Sequence, residues 1–186
     1  MFEKIKQTDE KLSESVVKIH TPWLNKVMLF MTFLGDQGKV WFLAMAIIIL
    51  LKRSVYVGTS LFLSLAVSFL SAEVVIKRMV GRVRPCHKID EENLILRKMP
   101  KFYSFPSSHS ATSFAMATVS FMLLGAGYTV VLMIIAVGIS FSRFYLQAHY
   151  LTDVLCGIIF GILSAVIVVK LLYVLLNSID PSLTII

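Results

Sequence analysis

Apolar residues run through this chain in long blocks separated by short polar clusters. Residues 1–22 are polar and mixed in charge. From Trp23 an apolar stripe recurs at Leu24, Val27, Met28, Met31 and Leu34, with Asn25, Lys26 and Thr32 lying off it. That spacing is one face of a helix. The segment is short for a bilayer crossing, so it predicts an amphipathic helix at the membrane surface, with a short or tilted crossing as the alternative. Gly35-Asp36-Gln37-Gly38 interrupts the pattern, and five apolar runs follow at about 40–51, 57–76, 107–125, 128–144 and 152–176. Blocks of this kind are the pattern of membrane helices.

The expected fold is therefore all-α: a polytopic membrane helix bundle of five transmembrane helices, six if residues 23–34 also cross, plus the N-terminal amphipathic helix. The chain reads as one domain over 1–186, with an N-terminal region 1–37 and a bundle over 38–177. Counting crossings places Lys77–Pro85, Pro106–His109 and Arg143–Asp153 at one membrane face. The Lys52-Arg53 and Gly125–Gly127 turns fall at the other.

Composition agrees with the blocks. Hydrophobic residues make up 57% of the chain and the mean hydropathy is +0.81, above the ~45–50% apolar content of a soluble domain. Cys86 and Cys156 lie far apart and match neither a zinc nor a Cys-x-x-Cys pattern, so both read as free thiols. The charged N-terminus and the lack of a clear cleavage site speak against a secretory signal.

The net charge of +7 matters by its location. Lys77, Arg78, Arg82, Arg84, Lys88, Arg97, Lys98 and Lys101 crowd one segment. They read either as a positive-inside loop or as an anion site. The small Lys52-Arg53 cluster, which has no other reason to be basic, points its turn to the cytoplasm. The polar clusters then face the extracytoplasmic side.

Charged groups beside hydrocarbon are costly and seldom lack a purpose. Lys77 closes an apolar run, and Arg84 precedes Pro85, which stops regular helix. A lysine point charge and a bidentate guanidinium suit phosphate oxygens, although a basic helix end can also snorkel to headgroups. Pro106-Ser107-Ser108-His109 precedes the run Ala111–Leu124 and reads as a helix cap. A helix N-terminus holds anions, and His109 in its first turn could exchange a proton; plain capping is the bland reading. His149 and Asp153 are four apart, so on a helix they share a face. A carboxylate there would fix the imidazole tautomer, or the two would form a structural pair.

Taken together, Lys77…Arg84-Pro85, Pro106-Ser107-Ser108-His109 and Ser142-Arg143…His149…Asp153 resemble the type 2 phosphatidic acid phosphatase superfamily (PAP2). Its pattern is KxxxxxxRP, PSGH and SRxxxxxHxxxD, and Ser108 stands where the glycine is usual. The resemblance implies that His149 attacks phosphorus and forms a phosphohistidine, that Asp153 orients it, and that His109 protonates the leaving oxygen and later activates water. It implies that Lys77, Arg84, Ser107, Ser108 and Arg143 bind phosphate. It implies neither metal nor cofactor, and Asp90, Glu91 and Glu92 lack the spacing of a divalent-ion cage.

The expected partner is a lipid phosphate in the bilayer of the plasma membrane, not nucleic acid. The chain resembles the undecaprenyl-diphosphate and phosphatidylglycerophosphate phosphatases of this family, with polyprenyl diphosphate the first substrate and phosphatidylglycerophosphate or phosphatidate the alternative. A lipid phosphotransferase would share every motif, and a non-catalytic phosphate-lipid binding or transport protein is a further alternative. Oligomeric state stays open.

Two features read less sharply. Glu73 lies one turn before Lys77 and pairs with it or faces another helix. Phe102, Tyr103, Phe105, Phe144, Tyr145 and Tyr150 read as an aromatic belt at the interface, or as the entrance for a lipid chain.

Overall fold

A computed structural model describes residues 2–89, 94–96, 99–100 and 103–179. Arg97, Lys98, Lys101, Phe102 and the acidic run 90–92 lie outside the described residues. Among the described residues all regular structure is helical.

The chain opens with α1 (Phe2–Val17), where sequence periodicity gave no element. Thr21 then caps α2 (Pro22–Gly35), its hydroxyl accepting from the Leu24 N–H at 3.3 Å, and Pro22 fills the first turn. A 3₁₀ turn over Asp36–Gly38 joins α2 to α3 (Lys39–Lys52). Arg53 adopts a left-handed conformation, and Ser54 caps α4 (Val55–Phe69). Wide, π-type turns over Leu70–Ile76 carry α4 into the short α5 (Lys77–Val80). After the polar connection come α6 (Ser108–Leu123), α7 (Ala126–Tyr145) and α8 (Leu151–Ile179).

Among the described residues, four helical runs are long and apolar enough to cross a membrane: Pro22–Lys52, Val55–Lys88, Ala126–Tyr145 and Leu151–Ile179. Their outer faces expose apolar side chains such as Leu50, Phe62, Ile134 and Ile167, as lipid-facing helices do. The protein is a multi-pass membrane protein. The stripe expected at 23–34 and the run expected at 40–51 join into the first of these four runs. The face that α2 buries is Met28, Thr32 and Gly35, whereas Trp23 of the expected stripe is exposed. Tertiary packing of α2 along α7 sets that face, and it tolerates a threonine that has a partner.

The centre of the bundle is α6, wrapped by α4, α7 and α8. At 16 residues it is about 24 Å long, shorter than the ~30 Å hydrocarbon layer. Small residues dominate its buried faces: Ser110, Ala111, Ser113, Ala115 and Ala117. Gly157 and Gly161 of α8 meet it, and a Cβ on Gly161 would lie 2.1 Å from the Ala111 carbonyl oxygen. Such small-x-x-x-small spacing is how membrane helices bring backbones close. Antiparallel neighbours then gather the ends of α2, α5 and α7 and the starts of α6 and α8 at one end of the bundle.

Candidate active site

Each cluster read from the sequence is delivered to that end by a local backbone feature. The π-type turns before Lys77 rotate its side chain inward, a feature often found at functional sites. Lys77 is buried; its ammonium donates to the Glu73 carboxylate and lies 3.5 Å from the Ser108 hydroxyl. Of the two readings of Glu73, pairing with Lys77 is the one observed. Gly81 ends α5 in a left-handed conformation (φ 63°) that favours glycine, its N–H donating to the Lys77 carbonyl. The chain then extends through Arg84 into Pro85.

Ser107 caps α6, its hydroxyl accepting from the Ser110 N–H at 3.4 Å and the Ser110 hydroxyl at 3.0 Å. The Ser107 N–H donates to the Asp153 carbonyl at 2.9 Å, which pins the start of α6 to the start of α8. Ser108, where the family pattern has glycine, begins the helix with ordinary backbone angles, so its Cβ is tolerated.

His149 differs from its helical expectation. It lies in the turn between α7 and α8, two residues past Gln147 (φ 56°), with its N–H donating to the Arg143 carbonyl. Its Nδ1 is 2.6 Å from the Ser104 carbonyl and 3.8 Å from Asp153 Oδ2. The nearer partner is thus a backbone oxygen from the polar connection, and the carboxylate sits at ion-pair distance. Asp153 is instead gripped by Arg82 (2.6 Å) and the Tyr150 N–H (2.9 Å).

These contacts fix the tautomer. A carbonyl only accepts, so Nδ1 carries the proton. Arg84 Nη1 lies 3.0 Å from Nε2 and only donates, so Nε2 presents its lone pair. Burial holds the imidazole well below its ordinary pKa, and the nearby charges of Arg84, Arg143 and Lys77 push it the same way. His149 is a neutral imidazole whose Nε2 carries the free lone pair.

A cavity of about 780 Å³ brings the separate clusters together: Lys77, Arg84, Ser108, His109, Arg143 and His149 all line it. Ser107 and Asp153 do not; both stand behind the lining residues, buried. Arg143 donates to the Thr32 hydroxyl, and its buried Nε has no hydrogen-bond partner among the described residues. No group of three or more His, Cys, Asp or Glu side chains with metal-cage geometry occurs among the described residues. A second, apolar cavity of about 380 Å³ adjoins the first and shares Ser108 and His109 with it, its far wall formed by Phe42, Phe62, Leu65 and Phe69.

Four residues at the site carry no motif. Asp36 places Oδ1 3.2 Å from His109 Nε2, and Thr32 receives Arg143. Asp9, on α1, and Arg82 form a buried network with Asp153: Arg82 bridges both carboxylates at 2.7 and 2.6 Å, and the Thr152 hydroxyl donates to Asp9. The aromatic belt expected here holds for Tyr103, which is exposed, but not for Tyr145 or Tyr150. Tyr145 is buried with its hydroxyl on Asn25 (2.6 Å), and Tyr150 is buried beneath the Arg82 guanidinium at 4.1 Å. Both aromatic rings have polar partners inside the fold, which outweigh the pull of the interface.

Undecaprenyl-diphosphatase of Sulfolobus acidocaldarius is 31% identical over 139 residues, 74% of this chain and 66% of that protein. Phosphatidylglycerophosphatase B of Bacillus subtilis is 30% identical over 174 residues, 86% of this chain and 80% of that protein. Lipid A 1-phosphatase of Rhizobium johnstonii is 35% identical over 109 residues, 57% of this chain and 44% of that protein. The chain thus spans from under half to four fifths of the length of these relatives.

Among solved structures, the transmembrane PAP2-type phosphatidylglycerolphosphate phosphatase of Bacillus subtilis superposes with a TM-score of 0.74 at 26% identity, covering 90% of this chain and 86% of that one. Aquifex aeolicus LpxE shares the fold with a TM-score of 0.75 at 23% identity, covering 86% and 93%. The model of the PAP2 superfamily matches residues 53–175, from the start of α4 through most of α8. With that match over the stretch that carries all three clusters, the chain belongs to the PAP2 superfamily.

Proposed function

We propose that this protein is a metal-independent lipid phosphatase that works through a phosphohistidine, with its site on the extracytoplasmic face of the plasma membrane. One observation carries the reading: two histidines and three cations, drawn from α5–α8 and their connections, line one cavity. The unpartnered Nε of Arg143 supports an anion there, since buried donors are seldom left without an acceptor. The adjoining apolar cavity supports a substrate whose hydrocarbon lies beside His109 while its phosphate lies among the cations.

The His149 Nε2 lone pair attacks phosphorus, and the P–O bond to the leaving group breaks. His109 gives that oxygen a proton. Lys77, Arg84 and Arg143 hold the charge that spreads over the equatorial oxygens. Water then attacks the phosphohistidine; His109 takes one of its protons, and His149 leaves as a neutral imidazole. Asp153 and Ser107 act from behind the cavity wall, the first by holding the turn that carries His149 and the second by capping α6. The Ser108 N–H, at the positive end of α6, contributes to phosphate binding.

The first substrate is a polyprenyl diphosphate. Phosphatidylglycerophosphate is a second reading, favoured by the longer matches to the Bacillus subtilis proteins. Lys52-Arg53, at the end of the bundle opposite the site, supports the orientation.

Phosphate release from a panel of lipid phosphates, in detergent with chelator present, tests the proposal. His149→Ala should abolish turnover and His109→Ala nearly so. Turnover that persists in the His149 variant, or that the chelator removes, overturns the mechanism. Product analysis with an added alcohol acceptor separates hydrolysis from phosphotransfer.

A further inference from the structure

Within the span Pro22–Lys52 the helix breaks at Gly35-Asp36-Gln37-Gly38, where Gln37 and Gly38 take left-handed angles (φ 56° and 70°). A carboxylate in such a run is costly. The break spends this on one contact: Asp36 Oδ1 lies 3.2 Å from His109 Nε2. The approach is built into the backbone as well. A Cβ on Gly35 would come within 2.9 Å of His109 Cδ2 and of Ile139 Cγ2, so only glycine lets the end of α2 lie against the imidazole ring. One turn earlier, Thr32 accepts from Arg143, so two successive turns of α2 face the cavity.

We propose that Asp36 is a positioning carboxylate for His109, holding its Nε2–H so that Nδ1 presents the proton to the leaving oxygen. The inference rests on the reading of His109 as the leaving-group acid. A carboxylate only accepts, so Nε2 must donate to it, and the ring is then set in one orientation. The charges that face His109 across the cavity are Lys77, Arg84 and Arg143, with Glu73 paired to Lys77 and His149 neutral. Three cations oppose a charged imidazole, whereas Asp36 and the substrate phosphate favour it. In the first step the proton passes from His109 to the departing alkoxide as the bond from His149 to phosphorus forms. Asp36 keeps its charge throughout.

The test compares leaving groups in the full chain in detergent. An alkyl phosphate such as phosphatidate needs a proton on its departing oxygen; p-nitrophenyl phosphate, whose phenolate departs unaided, does not. Asp36→Asn should lower kcat/KM, which reads the steps up to leaving-group departure and not the later attack of water, by about 10²-fold for phosphatidate, the usual scale of general-acid assistance, and leave it within a few fold for p-nitrophenyl phosphate. Asp36→Ala should show the same selectivity, which a variant that merely misfolds does not produce. Equal losses on both substrates, or none on either, overturn the proposal. His109→Ala is read beside them. If it shows the selectivity and the Asp36 variants do not, the positioning role fails while the role of His109 stands. If His109→Ala itself shows no selectivity, the underlying reading fails.

Discussion

Gly157→Ala puts the helix packing at the site to a quantitative test. A Cβ at this position would stand 2.4 Å from the Ser107 carbonyl oxygen, 3.1 Å from Ser110 Cβ and 3.3 Å from the Ser107 carbonyl carbon. Ordinary contact begins near 3.4 Å, so the starts of α6 and α8 must part by about 1 Å. Two of those three atoms are backbone, and no rotamer change relieves them. Ser107 caps α6, its N–H is tied to the Asp153 carbonyl, and His109 follows two residues later. A shift at Ser107 is therefore a shift of His109 relative to His149. Overpacking of this kind typically costs about 1–3 kcal/mol of stability. A 1 Å misplacement of reacting groups can cost about 10²-fold in rate.

The expected outcome is a lower thermal midpoint and a kcat for lipid phosphate hydrolysis down by about 10²-fold at saturating substrate. Gly127→Ala is the control, because its Cβ would meet no atom within 4 Å and its helix should accept alanine without loss. A Gly157→Ala protein with unchanged midpoint and kcat would refute the claim that close α6–α8 contact sets the site.

Other substitutions probe the charges behind the cavity. Arg82→Ala strands two buried carboxylates, Asp9 and Asp153, and should destabilise by about 3–5 kcal/mol in thermal or denaturant unfolding. In a double-mutant cycle the same change should cost less on an Asp9→Asn background; strict additivity would dissolve the network. The pH dependence follows from His149. Its folded imidazole resists protonation while the unfolded one takes a proton near pH 6.5, so protons favour unfolding. That part of the stability is complete above about pH 6.5 and declines as pH falls below it, by up to about 1.4 kcal/mol per unit. His149→Asn should shallow the fall of the thermal midpoint between about pH 6.5 and 5, and an unchanged slope would mean that the ring titrates freely.

The helices were legible because a bilayer imposes length and apolarity on whatever crosses it, and a run such as 152–176 has few other readings. The three clusters were legible because phosphoryl transfer demands cations and imidazoles at fixed spacing along local segments. What spacing could not reveal is which residues from other helices complete them. Asp36 lies 73 residues before His109, and in the sequence it is one acid in a glycine-flanked break. The signal it did carry was its cost: a carboxylate inside an apolar block. Arg82 was one of eight basic residues in a single segment, and nothing local marks it as the one that faces two carboxylates. Asp9 sat in a polar stretch without apolar periodicity, so neither its helix nor its burial could be read. Gly157-x-x-x-Gly161 carried a readable small-residue signal for close helix contact, which counting apolar runs passes over. The spacing of His149 and Asp153 does bring the two within 3.8 Å, but not on one helix: the positive φ at Gln147 ends α7, and the next helix starts only at Leu151.

The two imidazoles differ at the same ring atom. Nε2 of His149 faces a guanidinium, and Nε2 of His109 faces a carboxylate. Burial, and with it the cation at that position, lowers the first ring's affinity for a proton and leaves the Nε2 lone pair at the cavity. An anion at the same position on the second ring accepts from Nε2 and sets that ring in one orientation. Exchanging the partners would exchange the chemistry: a carboxylate beside His149 would favour its protonation and silence it, while a cation beside His109 would discharge the acid. On the proposed mechanism two identical side chains take opposite duties, set apart by single contacts from the 3₁₀ turn after α2 and from the Arg84-Pro85 turn. On that proposal the interruption in the first apolar run belongs to the chemistry as much as the residues in the motifs do.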